Sequence, residues 1–64
     1  MRYLWIDRDG SASWTYNEPK IEEITGMNAE GISVYRINGI SIWKWMDGKW
    51  EDVEYVPISS KFVS

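Results

Sequence analysis

Two dipeptides, Asn38-Gly39 and Asp47-Gly48, constrain this sequence more than any other feature. Asn, Asp and Gly accept positive φ at both central positions of a type I′ turn, and alternating apolar residues flank both dipeptides. The pattern therefore predicts three antiparallel strands joined by two two-residue turns. These strands are expected at about residues 32–37, 40–46 and 49–56.

Two-residue loops determine which residues face each other and which face of the sheet carries each side chain. The predicted pairs are Ile37 with Ile40, Tyr35 with Ile42 and Val34 with Trp43 in the first hairpin, and Trp45 with Trp50, Lys44 with Glu51 and Ile42 with Val53 in the second. One face of this meander is then largely apolar: Tyr35, Ile37, Ile40, Ile42, Val53 and Tyr55.

The opposite face is also apolar at its centre and becomes polar at its margin. We predict that it is an interaction surface, and its residues are Ile32, Val34, Trp43, Trp45, Trp50, Arg36, Asp52 and Glu54. An antiparallel sheet needs only one buried face, so something must cover the second.

The first sixteen residues predict another hairpin, with strands at about 2–7 and 11–16. The first of these strands is apolar on both faces, whereas the second alternates. A two-residue Asp9-Gly10 loop would pair Trp5 with Trp14 and Tyr3 with Tyr16. A longer loop remains open, because Arg8 and Ser11 are not typical strand residues.

Between the two β regions, a short helix is expected at about residues 19–25. Asn17 or Glu18 can cap it, Pro19 suits its first turn, and Gly26 suits a left-handed C-terminal cap. The sequence thus predicts an α+β domain of order ββαβββ over residues 1–57, followed by a tail at 58–64.

Two arrangements of these elements remain open. If the two aromatic faces cover each other, the domain is a small sandwich. If the helix and the first hairpin cover only the Tyr35 face, the tryptophans of the meander are left for a partner. The simplest partner would be a second copy, since two-fold dimers are the commonest oligomers.

Composition argues against several classes of function. The chain has no cysteine and no histidine, so it lacks thiolates, the commonest metal ligand and the commonest acid–base group. We therefore expect no enzyme, no metal and no cofactor. The net charge of −3 argues against a nucleic-acid binder, and no apolar run approaches the roughly 20 residues of a membrane span. A cytoplasmic location is expected.

The stretch Asp7-Arg8-Asp9-Gly10 resembles the strand-end D-x-D-G motif of haloacid-dehalogenase-type phosphotransferases. That resemblance implies a nucleophilic first carboxylate and Mg²⁺, but the family needs a parallel sheet for which this chain has no room. We therefore interpret the stretch as a hairpin turn.

In format the chain resembles the short early proteins of bacteriophages. It shares with them an immediate Met1-Arg2-Tyr3 strand start, the Asp-Gly turn, one short helix and an acidic balance. The resemblance implies inhibition of a host protein, for example an antiviral defence protein, by binding. The alternatives are a binder that holds a nucleotide or another small signal between aromatic walls, and a structural or regulatory homo-oligomer.

Overall fold

Residues 1–56 form five strands and one helix, and the five strands belong to one antiparallel sheet. The computed structural model describes residues 1–56, so the tail expected at 58–64 lies outside the described residues. The elements are β1 (Arg2–Ile6), β2 (Ala12–Thr15), α1 (Ile21–Ala29), β3 (Ser33–Asn38), β4 (Ser41–Met46) and β5 (Lys49–Val53). The strand order is β2-β1-β3-β4-β5, which confirms the predicted α+β fold.

Strand β1 lies inside the sheet, where it pairs with β2 on one side and with β3 on the other. The first hairpin therefore extends the meander edge to edge and is not a second layer. Both arrangements left open by the sequence are wrong for this reason, because the first hairpin neither forms a second sheet nor covers the Tyr35 face. An inner strand presents both faces to packed layers, which suits the apolar residues on both faces of β1.

The loop between β1 and β2 is longer than the predicted Asp9-Gly10 turn. The amide of Asp7 donates to the carbonyl of Ser11 at 2.8 Å, and the amide of Gly10 donates to the carbonyl of Asp7 at 3.0 Å. The carboxylate Oδ1 of Asp7 also accepts the Arg8 amide, and that of Asp9 accepts the Ser11 amide. These side-chain bonds favour the longer loop over a two-residue turn.

This loop changes the register of the first hairpin by one residue. Leu4 pairs with Trp14 and Tyr3 with Thr15, so the predicted Trp5–Trp14 and Tyr3–Tyr16 pairs are wrong. Because side chains alternate along a strand, a one-residue shift moves the Trp14 indole to the opposite face of the sheet.

The turn between β3 and β4 is formed by Gly39 and Ile40 instead of Asn38 and Gly39. Gly39 has a φ of 62° whereas Ile40 has a negative φ, which is the pattern of a type II′ turn. Ile37 consequently pairs with Ile42 and Arg36 with Trp43, two residues away from the predicted register. An even shift preserves the faces, but Ile40 is fully exposed in the turn and does not join the apolar face.

The second hairpin matches its prediction. Asp47 and Gly48 have φ values of 52° and 79°, as a type I′ turn requires, and Trp45 pairs with Trp50. Strand β5 ends at Val53, earlier than expected, and the position that would face Tyr55 in this register is the turn residue Ile40. Tyr55 is therefore 71% exposed and does not join the apolar face.

The helix begins at Ile21 and ends at Ala29, so it lies later in the chain than predicted. Its N-cap is Lys20, whose amide donates to the Glu23 carboxylate at 3.3 Å, and Pro19 is buried just before it. Gly26 lies inside the helix, so its predicted role as the C-terminal cap is wrong.

Gly31 supplies that cap instead, with a φ of 88°. Its amide donates to the carbonyl of Asn28 at 3.0 Å, and the next amide, of Ile32, donates to the carbonyl of Met27 at 2.8 Å. This pair of bonds is the Schellman motif, which requires a left-handed residue that glycine adopts without strain.

The two faces of the sheet bury separate groups of residues. One face carries a cluster of four buried side chains against which four partly buried residues pack: Leu4, Ile6, Tyr35 and Ile37, with Ala12, Ile42, Val53 and Val56. The helix residue Ile24 is also buried but lies outside this cluster, as do Tyr3 and Val34. The helix, which contacts β3 in particular, thus covers part of the other face. Within residues 1–56 no helix is long and apolar enough to cross a membrane.

Candidate interaction surfaces

The face of the sheet on which the helix lies carries four of the five tryptophans, and we call it the tryptophan face. It comprises Tyr3, Trp5, Val34, Arg36, Trp43, Trp45, Trp50 and Asp52. The three tryptophans of β4 and β5 are half-buried, as is Ile32, whereas Asp52 and Glu54 are exposed. Val34 is fully buried on this face, so it offers no contact area to a partner.

Trp50 connects the aromatic rings of this face. Its ring meets Trp45 edge to face, with centroids 5.2 Å apart, and lies 6.2 Å from the ring of Tyr3. Such contacts fill the space between the rings that a planar ligand would need. The structure thus joins the predicted tryptophans into one packed group.

Arg36 lies against this group with its charge unmatched. Its guanidinium carbon is 4.4 Å from the ring centre of Trp43 and 4.8 Å from that of Trp50. Its Nε is buried without a hydrogen-bond partner. Within residues 1–56 the ion pair is elsewhere, between Lys49 Nζ and Glu51 Oε1 at 3.1 Å. A buried donor without an acceptor is costly, so contacts with the indole rings, and not hydrogen bonds of Nε, hold Arg36 in place within the described residues.

Burial also acts on the tyrosines of the sheet. It raises the pKa of the Tyr3 phenol, and the negative charge of Glu18 adds to this effect while Arg36 opposes it. Burial likewise raises the pKa of Tyr35, against a hydrogen bond with Ser33 that lowers it. Both phenols are therefore held in their neutral form.

A second surface lies at the β2 edge of the sheet, on the face opposite the helix, and we call it the edge patch. It consists of Arg2, Trp14 and Tyr16. Trp14 is 50% exposed and Tyr16 is 78% exposed, while the guanidinium carbon of Arg2 lies 4.7 Å from the Trp14 ring centre. Together with Thr15 these residues line a cavity of about 160 Å³.

Sequence reasoning missed the edge patch because it assigned Trp14 to the same face as Trp5. The signal that could have found it is the pair of carboxylates in the loop, Asp7 and Asp9. Each can bond to a nearby backbone amide, which favours a longer loop and the register that the structure shows.

Two further cavities lie away from the tryptophans. One of about 450 Å³ is lined by the residues leading into the helix, and one of about 260 Å³ lies near Tyr35, Lys44 and Tyr55. In the part of the chain that the structure describes, no three carboxylates come close enough to hold a metal ion. No protein-family model, curated protein or solved structure matches the chain.

Proposed function

We propose that this protein is a small protein–protein interaction module that acts by binding and carries out no chemistry. The edge patch is the observation that carries the proposal. It exposes a tryptophan and a tyrosine with an arginine stacked on the tryptophan, and these three residue types are enriched at binding hot spots. Tyr16 and Trp14 are available for contact without any rearrangement of the sheet.

The charge of the edge patch indicates the chemistry of the partner. Arg2 is the charged residue among those that line its cavity, in a chain whose net charge is −3. The partner surface that fits is a protein that places an apolar side chain beside Trp14 and Tyr16 and a carboxylate against Arg2. Arginine binds carboxylates with two parallel hydrogen bonds, which adds specificity to the contact.

The size of the cavity favours a protein over a small molecule. Pockets that enclose a small ligand usually measure about 300–1,000 Å³. The cavity of the edge patch, about 160 Å³, accommodates a side chain but is small for a nucleotide. A nucleotide held between aromatic walls is therefore the second candidate, and the edge patch is where it would bind.

The biological role we propose is that of a phage or mobile-element inhibitor that binds and blocks a host defence protein in the host cytoplasm. Small size and an aromatic binding patch support this role. The absence of histidine and cysteine from the sequence also supports inhibition by binding rather than by catalysis.

The test places a photo-cross-linking benzoylphenylalanine at position 16 of the full chain in bacterial cells. The matched control carries it at position 55, where Tyr55 is a similarly exposed tyrosine beyond β5 at the opposite edge of the sheet. We expect one dominant cross-linked protein from position 16 but not from position 55. That product should disappear when Trp14→Ser or Arg2→Glu is added, and persist with Lys49→Glu.

Three results would contradict the proposal: no cross-linked protein, the same products from both positions, or products that Trp14→Ser does not change. Titration of the purified chain with ATP addresses the second candidate. Saturable quenching of tryptophan emission that Trp14→Phe abolishes would favour a nucleotide binder over a protein-binding module.

A further inference from the structure

We infer that the tryptophan face binds a second copy of this chain, with Arg36 of each copy contacting Asp52 of the other. The inference does not depend on the edge patch, which lies on the opposite face. It starts from three residues that are direct cross-strand neighbours on β3, β4 and β5: Arg36, Trp43 and Asp52. Their backbone positions form a row across the strands with Arg36 at one end, Trp43 in the middle and Asp52 at the other end.

Neither charge of this row is neutralised within the described residues. Arg36 contacts two indole rings but no carboxylate, and Asp52 is exposed. Neighbouring strands are about 4.8 Å apart, so the backbone positions of the two charges are about 10 Å apart. The guanidinium reaches over the rings of Trp43 and Trp50, but no ion pair joins it to Asp52 within residues 1–56, so both charges are available to groups of another chain.

Two members of the row, Trp43 and Asp52, lie on strands beyond β3, and the side chain of Arg36 reaches from β3 over the rings of Trp43 and Trp50. The helix packs mainly against β3, and the tryptophans of β4 and β5 remain half-buried. Tryptophan and arginine are enriched at binding hot spots, and here both are partly exposed beside each other. The part of the tryptophan face beyond β3 is therefore open to a partner.

Symmetry identifies a second copy as the partner that fits. When two copies face each other across a two-fold axis parallel to the strands, the row of one copy is reversed over the row of the other. Arg36 then faces Asp52 of the second copy, Asp52 faces Arg36 of the second copy, and the two Trp43 rings meet near the axis. An isologous interface needs a self-complementary surface of this type.

The test uses sedimentation equilibrium of the full chain at micromolar concentration. We expect the wild type to exceed its monomer mass of 7.5 kDa and approach twice that value. Arg36→Asp and Asp52→Arg should each weaken association by at least about tenfold, because each places like charges together across the interface. Lys49→Asp is the matched control for Arg36→Asp, since it makes the same charge change on the opposite face of the sheet and should leave the mass unchanged.

Mixing the two single variants gives the decisive result. In the mixed dimer the aspartate introduced at position 36 faces the arginine introduced at position 52, and the native Arg36–Asp52 pair forms at the other contact. Association should therefore recover. Circular dichroism of each variant confirms that it is folded before mixing. A monomeric wild type, or folded variants that fail to associate when mixed, would overturn the inference while leaving the edge patch and its cross-linking test unaffected.

Discussion

The guanidinium carbon of Arg36 lies 4.4 Å from the ring centre of Trp43 and 4.8 Å from that of Trp50. One side chain on β3 thus contacts both β4 and β5. The contact combines cation–π attraction with dispersion over the flat guanidinium group. Arg36 therefore helps to hold the outer two strands against the rest of the sheet.

We expect Arg36→Lys to lower the free energy of unfolding by about 1 kcal/mol, because lysine keeps the charge but loses the planar contact with two rings. Urea denaturation followed by circular dichroism measures the change. The matched variant is Arg2→Lys, which loses contact with a single, half-exposed ring. An equal loss in both variants would show that the second ring contributes nothing.

Gly31 and Gly26 should respond in opposite directions to substitution by alanine. Gly31 has a φ of 88°, and a Cβ there would lie 2.8 Å from the side chain of Arg8. Gly31→Ala should therefore lower the free energy of unfolding by about 1–2 kcal/mol, mainly from the left-handed backbone. A variant as stable as the wild type would exclude the left-handed cap.

Gly26 lies inside the helix, and a Cβ there would contact nothing within 4 Å. Gly26→Ala should raise the free energy of unfolding by about 0.5–1 kcal/mol, because alanine loses less backbone entropy in a helix. Thermal denaturation of the two alanine variants beside the wild type makes the comparison directly. Destabilisation by Gly26→Ala would mean that the helix ends at Gly26 in solution.

The stability of the domain should fall at alkaline pH. Burial raises the pKa of Tyr3 and Tyr35 in the folded chain above the ordinary value of 10.0. Below that value both states hold the phenol protons, so this contribution to stability is complete. Above it the unfolded chain loses its protons first, so the free energy of unfolding decreases as pH rises towards the folded pKa values.

Urea denaturation at a series of pH values from neutral to alkaline measures this dependence. The comparison is with Tyr3→Phe and Tyr35→Phe, which remove the ionising groups and should each flatten the decline above pH 10.0, the ordinary pKa of the phenol. An unchanged slope in both variants would assign the alkaline loss to other groups.

The sequence predicted the order and type of the elements because their signals are local. The Asp47-Gly48 turn is one such signal, since both residues take positive φ and the register follows from them. The Asn38-Gly39 turn shows the limit of the same argument. Gly39 can open a type II′ turn as readily as it can close a type I′ turn, and local sequence alone does not distinguish them.

The arrangement of the first hairpin depended on contacts between distant residues, which a local pattern does not specify. Strand β1 is apolar on both faces, which fits either an inner strand of one sheet or a strand of a small sandwich. The pairing of β1 with β3 shows that it is an inner strand of one sheet. The edge patch was missed for a related reason, because a one-residue change in register moved Trp14 to the other face.

The inner position of β1 has a consequence for how the chain folds. The hairpins β1–β2, β3–β4 and β4–β5 each join neighbouring stretches of sequence, whereas Arg2 of β1 must find Ile37 of β3. Closing that long loop is the entropically costly step, so we expect it to limit the folding rate. During synthesis β1 is made first, but its pairing with β3 cannot form until β3 has also been made. Of the five strands, β1 and β3 are the ones whose early misalignment would leave a hairpin detached from the rest of the sheet.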